Sequence, residues 1–223
     1  MRSDHSIQLK VCGMRDPENM IAVAALRPDY MGFIFYRNSK RAVPADFKIP
    51  KDFPSGIKRV GVFVNESTST MLSLVGKFSL DYVQLHGEES PLQCEELRTA
   101  GVGVIKVFAL SGGFDFKALE PFKKAVDYFL FDNKGTDYGG TGTAFDWEML
   151  KEYDQEVPFF LSGGLSPENI HDVALLEGMN LHAVDVNSGV EVRPGLKDVG
   201  KIKRLQGLTS PPAPLRDGEG GSR

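Results

Sequence analysis

Eight short apolar segments, mostly separated by stretches with helical spacing, predict an α/β fold consisting of a single (β/α)8 barrel with a parallel eight-stranded sheet. The segments recur at intervals of roughly 20 to 30 residues, as strand–helix units of a barrel do. The polar residue of each tends to fall at or near its C-terminal end: Cys12, His86, Asp132, Ser162, Asp185 and Asn187. Barrels carry their active sites at that end, so the pattern has a reason there. The rival, an open doubly wound sheet, runs more often to about five or six strands.

Residues 9–13 open as a strand, with Lys10 and Cys12 on one face and Val11 on the other. Asp16 and Pro17 start a helix over 16–26 whose buried stripe is Met20, Ile21, Val23 and Ala24. Residues 30–36 form the second strand and end in a basic loop with Arg37, Lys40 and Arg41. Pro44, Pro50 and Pro54 then allow at most one turn of helix. The third strand is 59–64, followed by a helix at 67–77. The fourth is 81–87, with Gln84 and His86 facing one way and Val83 and Leu85 the other, followed by a helix at 91–100.

The fifth strand, 103–110, has an apolar run interrupted by Lys106. Pro121 sits inside 114–125, so irregular helices are expected after strands two and five. The sixth strand, 128–132, is apolar on both faces, as a buried parallel strand is, with Asp132 on the face of Tyr128 and Leu130. A short helix at 147–153, a seventh strand at 159–165 and a helix at 167–176 begun like the one at Pro17 follow. An eighth strand at 181–189, with Asp185 and Asn187 on one face, and a helix at 198–205 complete the barrel. The domain is expected over 1–207. The Pro- and Gly-rich 208–223 read as a disordered tail.

A chain of 223 residues suits one such domain, and 41% apolar with 25% charged residues is an ordinary globular mixture. A net charge of -4 without a basic cluster argues against a nucleic-acid partner. No signal-peptide core and no apolar run near ~18 residues argue for a cytoplasmic protein without a membrane partner. Cys12 and Cys94 have no CxxC context and are expected as free thiols. His5, His86, His171 and His182 lack metal-ligand spacing, so no metal is expected.

Three loops at the same end of the barrel suit phosphate: 133–143 with Gly135, Gly139, Gly140 and Gly142, 162–165 (SGGL) and 187–191 (NSGVE). Small residues there let backbone N–H groups approach an anion.

The motifs KVCGM, GFIFY with SKR, RVGVFVN, VQLHGEE, FDNKGTDYGGTGTAFDW, SGGLSPEN and AVDVNSGVEVRPGLKD, in order from Lys10 to about Leu205, closely resemble the phosphoribosylanthranilate isomerase family. The resemblance implies an aldose-ketose isomerase of tryptophan biosynthesis that acts by Amadori rearrangement on a small phosphorylated substrate, N-(5-phosphoribosyl)anthranilate. It implies Cys12 as general base and Asp132 as general acid. By the same resemblance Arg41 binds the anthranilate carboxylate and Asp185 lies near the sugar. Gly163, Gly164, Asn187, Ser188 and Gly189 hold the phosphate, with Gly140 and Gly142 in the loop after strand six. One acid and one base suffice, so no cofactor is expected. A monomer or a homodimer fits. Asn187 departs from the serine common in DVSSGVE but retains an amide for an oxyanion. The alternatives are a histidine-pathway isomerase, which has an aspartate where this chain has Cys12, and an inactive phosphate-binding barrel. Because a free thiol has a pKa of ~8.5, the base is expected to need lowering by ~1.5 units, worth about 2 kcal/mol. Asp132, conversely, must hold a proton.

Overall fold

A computed structural model describes residues 7–111, 113–133 and 147–209. Strands β1 (Gln8–Val11), β2 (Tyr30–Ile34), β3 (Lys58–Phe63), β4 (Tyr82–Leu85), β5 (Gly103–Leu110), β6 (Tyr128–Asn133), β7 (Phe159–Ser162) and β8 (Leu181–Val186) form a closed barrel in sequence order, every pair parallel. β1 closes on β8 with Lys10 opposite Asp185. The expected fold is borne out.

Period-two alternation divides the strands into an inner and an outer layer. Inside lie Tyr30, Val60, Ile105, Val107, Leu130, Phe160 and Ala183; Phe129, Phe131, Val83 and Leu85 pack outward under the connections. The barrel floor is a ring drawn from the even-numbered strands: Tyr30, Tyr82, Tyr128 and His182, with successive ring centroids 5.8, 6.0, 4.3 and 5.9 Å apart. Alternate strands supply each layer in such barrels. A register shift opposite Phe159 and Phe160 spaces Leu181 and Ala183 by one extra residue, and the intervening His182 lies in the ring. The aspartates that precede the tyrosines, Asp29, Asp81 and Asp127, each accept the N–H of a residue in the neighbouring odd strand, at Leu9, Arg59 and Val104. A single dipeptide, Asp-Tyr, thus seals the strand starts and fills the floor.

Helices α1 (Pro17–Ala24), α2 (Thr68–Phe78) and α3 (Pro91–Thr99) begin at side-chain caps from Asp16, Ser67 and Ser90. α4 (Val199–Thr209) ends two residues past the expected domain boundary; residues 210–223 lie outside the described ones. Irregularity extends further than the two connections expected. No helix is assigned between β2 and β3, and the connections after β5, β6 and β7 carry 3-10 helices at Phe116–Phe122, Trp147–Glu152 and Ile170–Leu176. The α-helix expected from Pro167 does not form. Asn169 makes no side-chain cap to the helix; its Oδ1 accepts from Ser166 N and its Nδ2 donates to Gly164 O, bracing the glycine loop instead.

Aromatic rings take the place of the missing helical faces. Phe47 and Phe53, on the proline-rich connection after β2, are buried and pack on Phe33, and Phe47 also meets Phe35 and Phe78. Tyr153 closes the layer over Phe131 and Phe159. If this is how a helix-free connection seals the barrel, Phe47→Ala is expected to cost about 3 kcal/mol. Urea denaturation would read it, and a loss below ~1 kcal/mol would mean that the connection contributes little.

Candidate active site

Cys12 follows β1 directly, and its N–H donates to Val186 O at 2.9 Å. Inward alternation sets its thiol in the mouth with Ile34 and Val62, at 4% exposure. Gly32 of β2 makes room for it, because a Cβ there would lie 2.8 Å from Cys12 Sγ. This glycine carried a signal in sequence, since a strand-interior glycine marks a close approach, but no role was read from it.

Beneath the thiol Lys10 Nζ donates to Asp185 Oδ2 at 2.7 Å, and both residues are buried. Burial would pull Lys10 down, but Asp185 and Cys12 hold its ammonium above the usual range. Burial pushes the Asp185 carboxyl up against the pull of Lys10, with the nearby charge of Asp132 adding to the rise. Asp185 Oδ1 and Gln84 Oε1 are buried acceptors without a hydrogen-bond partner among the described residues. Burial also pushes the Cys12 thiol up; Lys10 and Lys197 oppose the rise and Asp185 adds to it, and the net direction is upward. The expected lowering of the thiol is therefore not found: desolvation of a thiolate outweighs two neighbouring ammonium groups.

Asp132 lies on β6 opposite Ser162 of β7, with its side chain 24% exposed. His86 Nε2 stands 3.5 Å from Asp132 Oδ2, and His86 Nδ1 is 3.5 Å from Gln84 Nε2. The loop bearing His86 is tied down from outside the barrel. Lys106 points outward from β5, donates to Leu85 O and Gly87 O, and pairs with Glu89 at 3.0 Å; Glu89 in turn accepts from Asn65 N and Gly87 N. The lysine that broke the apolar run thus satisfies buried carbonyls. Cys94 on α3 is a buried free thiol that burial pushes up to about 11, in keeping with packing.

After β8 the chain passes through Asn187, Ser188 and Gly189 into a two-stranded hairpin, β9 (Glu191–Arg193) and β10 (Leu196–Lys197). Gly189 packs so closely that a Cβ would lie 2.1 Å from Leu165 O, which joins this loop to that of Gly163 and Gly164. Gly163 and Gly164 both have positive φ, the backbone region that favours glycine. The two phosphate loops read from sequence are therefore neighbours. Gly140 and Gly142 lie outside the described residues.

The hairpin carries two residues to which the sequence reading gave no role. Glu191 accepts from Arg41 Nε at 2.9 Å and Nη2 at 2.7 Å, from Lys197 Nζ at 2.8 Å and from Gly195 N at 3.0 Å. Lys197 Nζ also donates to Asn187 Oδ1 at 2.6 Å and to Asn187 O. Arg41 thus stands at the mouth with its fork engaged by a protein carboxylate, and the side-chain oxygen of Asn187 is held by an ammonium. Both charges were visible in VEVRPGLKD, yet only the antiparallel pairing of the hairpin brings them to Arg41.

Among the described residues no group of three or more His, Cys, Asp or Glu could hold a metal, and no helix is long and apolar enough to cross a membrane.

Two predictions follow from this geometry. Gly32→Ala is expected to lower kcat by about tenfold or more, by displacing the thiol roughly 1 Å, with little change in thermal stability; unchanged kinetics would mean that the Cys12 position is slack. The second concerns acid stability. Burial alone would raise the Glu191 carboxyl, but Arg41 and Lys197 outweigh it and hold it below the usual range. Such a group stabilises the fold fully above its unfolded value of ~4.3, and the contribution is lost as pH falls through the lower folded value. Glu191→Gln is expected to cost about 2 kcal/mol near pH 7 and much less near pH 3. Equal losses at both, by urea denaturation, would count against the charge as the source.

A family model for N-(5'phosphoribosyl)anthranilate (PRA) isomerase matches residues 9–206. The chain is 43% identical over 200 residues to the N-(5'-phosphoribosyl)anthranilate isomerase of Parabacteroides distasonis, covering 88% of this chain and 90% of that one. It is similar to a phosphoribosyl anthranilate isomerase solved in complex with reduced 1-(o-carboxyphenylamino)-1-deoxyribulose 5-phosphate, at 31% identity, TM-score 0.76, and 91% and 98% coverage. Monomers generated from the dimeric enzyme of Thermotoga maritima match at 30% identity, TM-score 0.73 and the same coverage.

Proposed function

The chain belongs to the N-(5'-phosphoribosyl)anthranilate isomerase family, and we propose that it converts N-(5-phosphoribosyl)anthranilate to 1-(2-carboxyphenylamino)-1-deoxyribulose 5-phosphate with Cys12 as general base and Asp132 as general acid. The observation that carries this reading is the buried thiol of Cys12 at the barrel mouth, with two buried ammonium groups, Lys10 and Lys197, lowering the cost of its ionised form. The reduced product bound in the solved relative has the parts this mouth suits: a carboxylate for Arg41, sugar hydroxyls for Asp185 Oδ1, which has no partner among the described residues, and a phosphate for the backbone of Gly163, Gly164, Ser188 and Gly189. The Asn187 amide adds an N–H donor at the same loop.

In this reading Asp132 gives its proton to the ring oxygen as the C1–O bond breaks, and the nitrogen lone pair forms the iminium. The Cys12 thiolate then removes the C2 proton, whose electron pair moves into C1–C2 and discharges the iminium to an enolamine. Protonation at C1 and loss of the C2 hydroxyl proton give the ketone. The reactive pair, thiolate with carboxylic acid, has the same net charge as thiol with carboxylate. A proton has only to be moved between the two groups, so the reactive pair forms without a net change of charge, and each unit by which burial raises the thiol makes it about tenfold rarer. Asp185 lies close enough to both to feel their charges, and it completes the acidic side of the site. His86, 3.5 Å from Asp132, is placed to steady the carboxyl group. The enzyme so described is cytoplasmic, needs no cofactor, and works as a monomer or as a homodimer like its Thermotoga relative.

Cys12→Ala and Asp132→Asn are each expected to lower kcat by about 10³-fold, with circular dichroism unchanged. Anthranilate fluorescence during turnover of freshly prepared substrate reads both. Retention of more than about a tenth of the rate in either variant would remove that residue from its role.

A further inference from the structure

We propose that Lys197, delivered by the hairpin after the last barrel strand, is a positioning residue for the reaction, and that the Arg41–Glu191–Lys197 cluster sets the electrostatic field at Cys12. The proposal rests on Cys12 being the base.

Lys197 is built to act from a fixed point. Three acceptors, Asn187 Oδ1, Asn187 O and Glu191 Oε1, lie 2.6 to 3.1 Å from its Nζ, and accommodating all three takes the three hydrogens of an ammonium. Its side chain has no exposure. The backbone is fixed as well, since Lys197 N donates to Asn19 Oδ1 and Asn19 Nδ2 donates to Lys197 O, both buried. An ammonium held at both ends does not swing to meet a substrate; what it supplies to the mouth is charge. The contact chain from it to the base is short. A Cβ at Gly13, next to Cys12, would lie 2.7 Å from the Asn187 oxygen that Lys197 holds and 3.0 Å from Arg41 Cδ.

The charges around the thiol can be counted. Lys10 and Asp185 form a neutral pair below it. On the other side Arg41 and Lys197 carry two positive charges against one on Glu191, which leaves one positive charge in excess within this cluster; Lys201, behind it, donates to Glu191 O at 3.3 Å and adds to the same sign. Ionising Cys12 offsets the excess of the cluster, in surroundings where charge is little screened. Asp132, with His86 beside it, stands farther along the mouth and acts on Asp185. Lys197 and Cys12 favour each other's charged form, against a burial that disfavours both. Glu191 therefore has two effects: it orients Arg41, and it sets how much of the positive charge reaches the thiol.

The count predicts opposite signs for two substitutions, which a merely structural role would not produce. Lys197→Met removes the excess charge and is expected to raise the Cys12 titration midpoint by about one unit and to lower kcat/KM near neutral pH by about tenfold. Glu191→Gln keeps the hydrogen-bonding shape, adds to the excess, and is expected to lower the midpoint. Lys197→Arg restores the midpoint toward that of the unaltered chain. The midpoints are read from the 13Cβ shift of Cys12 in cysteine-labelled full-length protein, with Cys94→Ala assigning the signals. Midpoints that stay put, or move the same way in Lys197→Met and Glu191→Gln, overturn the proposal. Cys12→Ala separates its failure from that of the base assignment. If that variant is inactive while the midpoints do not move, the field falls alone; if it turns over normally, the base assignment falls and takes the role of Lys197 with it.

Discussion

The ion pair between Lys10 and Asp185 lies where the barrel closes, and the rest of the candidate active site is arranged around it. The two residues are opposite each other in the β1–β8 register and 2.7 Å apart through their side chains. Slipping β1 by one residue against β8 would turn Lys10 out of the interior and leave Asp185 there alone, because the side-chain period is two. It would turn Cys12 out with Lys10. Fold closure and active-site assembly are therefore one constraint. A buried pair of this kind adds little net stability, since desolvation offsets most of its attraction, whereas leaving one partner alone costs about 3 to 5 kcal/mol. It acts less as a source of stability than as a check on register.

Much of this was legible in the sequence because period two is local. Cys12, Asp132 and Asp185 could be given faces from their neighbours alone, and each lies at the C-terminal end of its strand. β5 was bounded correctly, from Gly103 to Leu110. The proline-rich stretch after β2 was readable as non-helical, since a ring-locked residue without an N–H excludes helix wherever it sits. The failures were of two kinds. The stretch 167–176 has a helical pattern and a proline at its start, but Asn169 bonds backward to the glycine loop and the segment tightens into a 3-10 helix. There local side-chain-to-backbone bonds competed with the helix. The Arg41–Glu191–Lys197 cluster was missed because its members sit 150 and 6 positions apart and meet through a two-stranded hairpin too short to show a period.

At Cys12 the sequence reading expected a lowered thiol, and the surroundings of the side chain act in the opposite direction. A base near neutral pH suggests a lowered thiol, yet burial dominates and raises it. In the proposed reaction the need for ionisation and the need for dryness conflict: water screens charges and competes for the iminium, but its removal makes the thiolate costly. Surrounding the thiol with fixed ammonium groups reduces that cost without readmitting water.

The same reasoning accounts for the form of the hairpin. An ammonium on a flexible loop would have to be ordered at each turnover, and the ordering would cost free energy when the thiolate needed it. With Lys197 fastened through its own backbone to Asn19 and through its Nζ to Asn187 and Glu191, that entropy is lost once, during folding. Folding also supplies the compensating contacts. Gly189 ties the start of this segment to the loop of Gly163 and Gly164 by an approach no other side chain would allow. The rigidity that fixes the charge beside Cys12 therefore also fixes the relation between Cys12 and the two loops that suit a phosphate. In the proposed reaction the substrate spans all of these at once, and a small shift in any one would move the C2 proton away from the thiolate, so a rigid scaffold serves that chemistry better than an adaptable one.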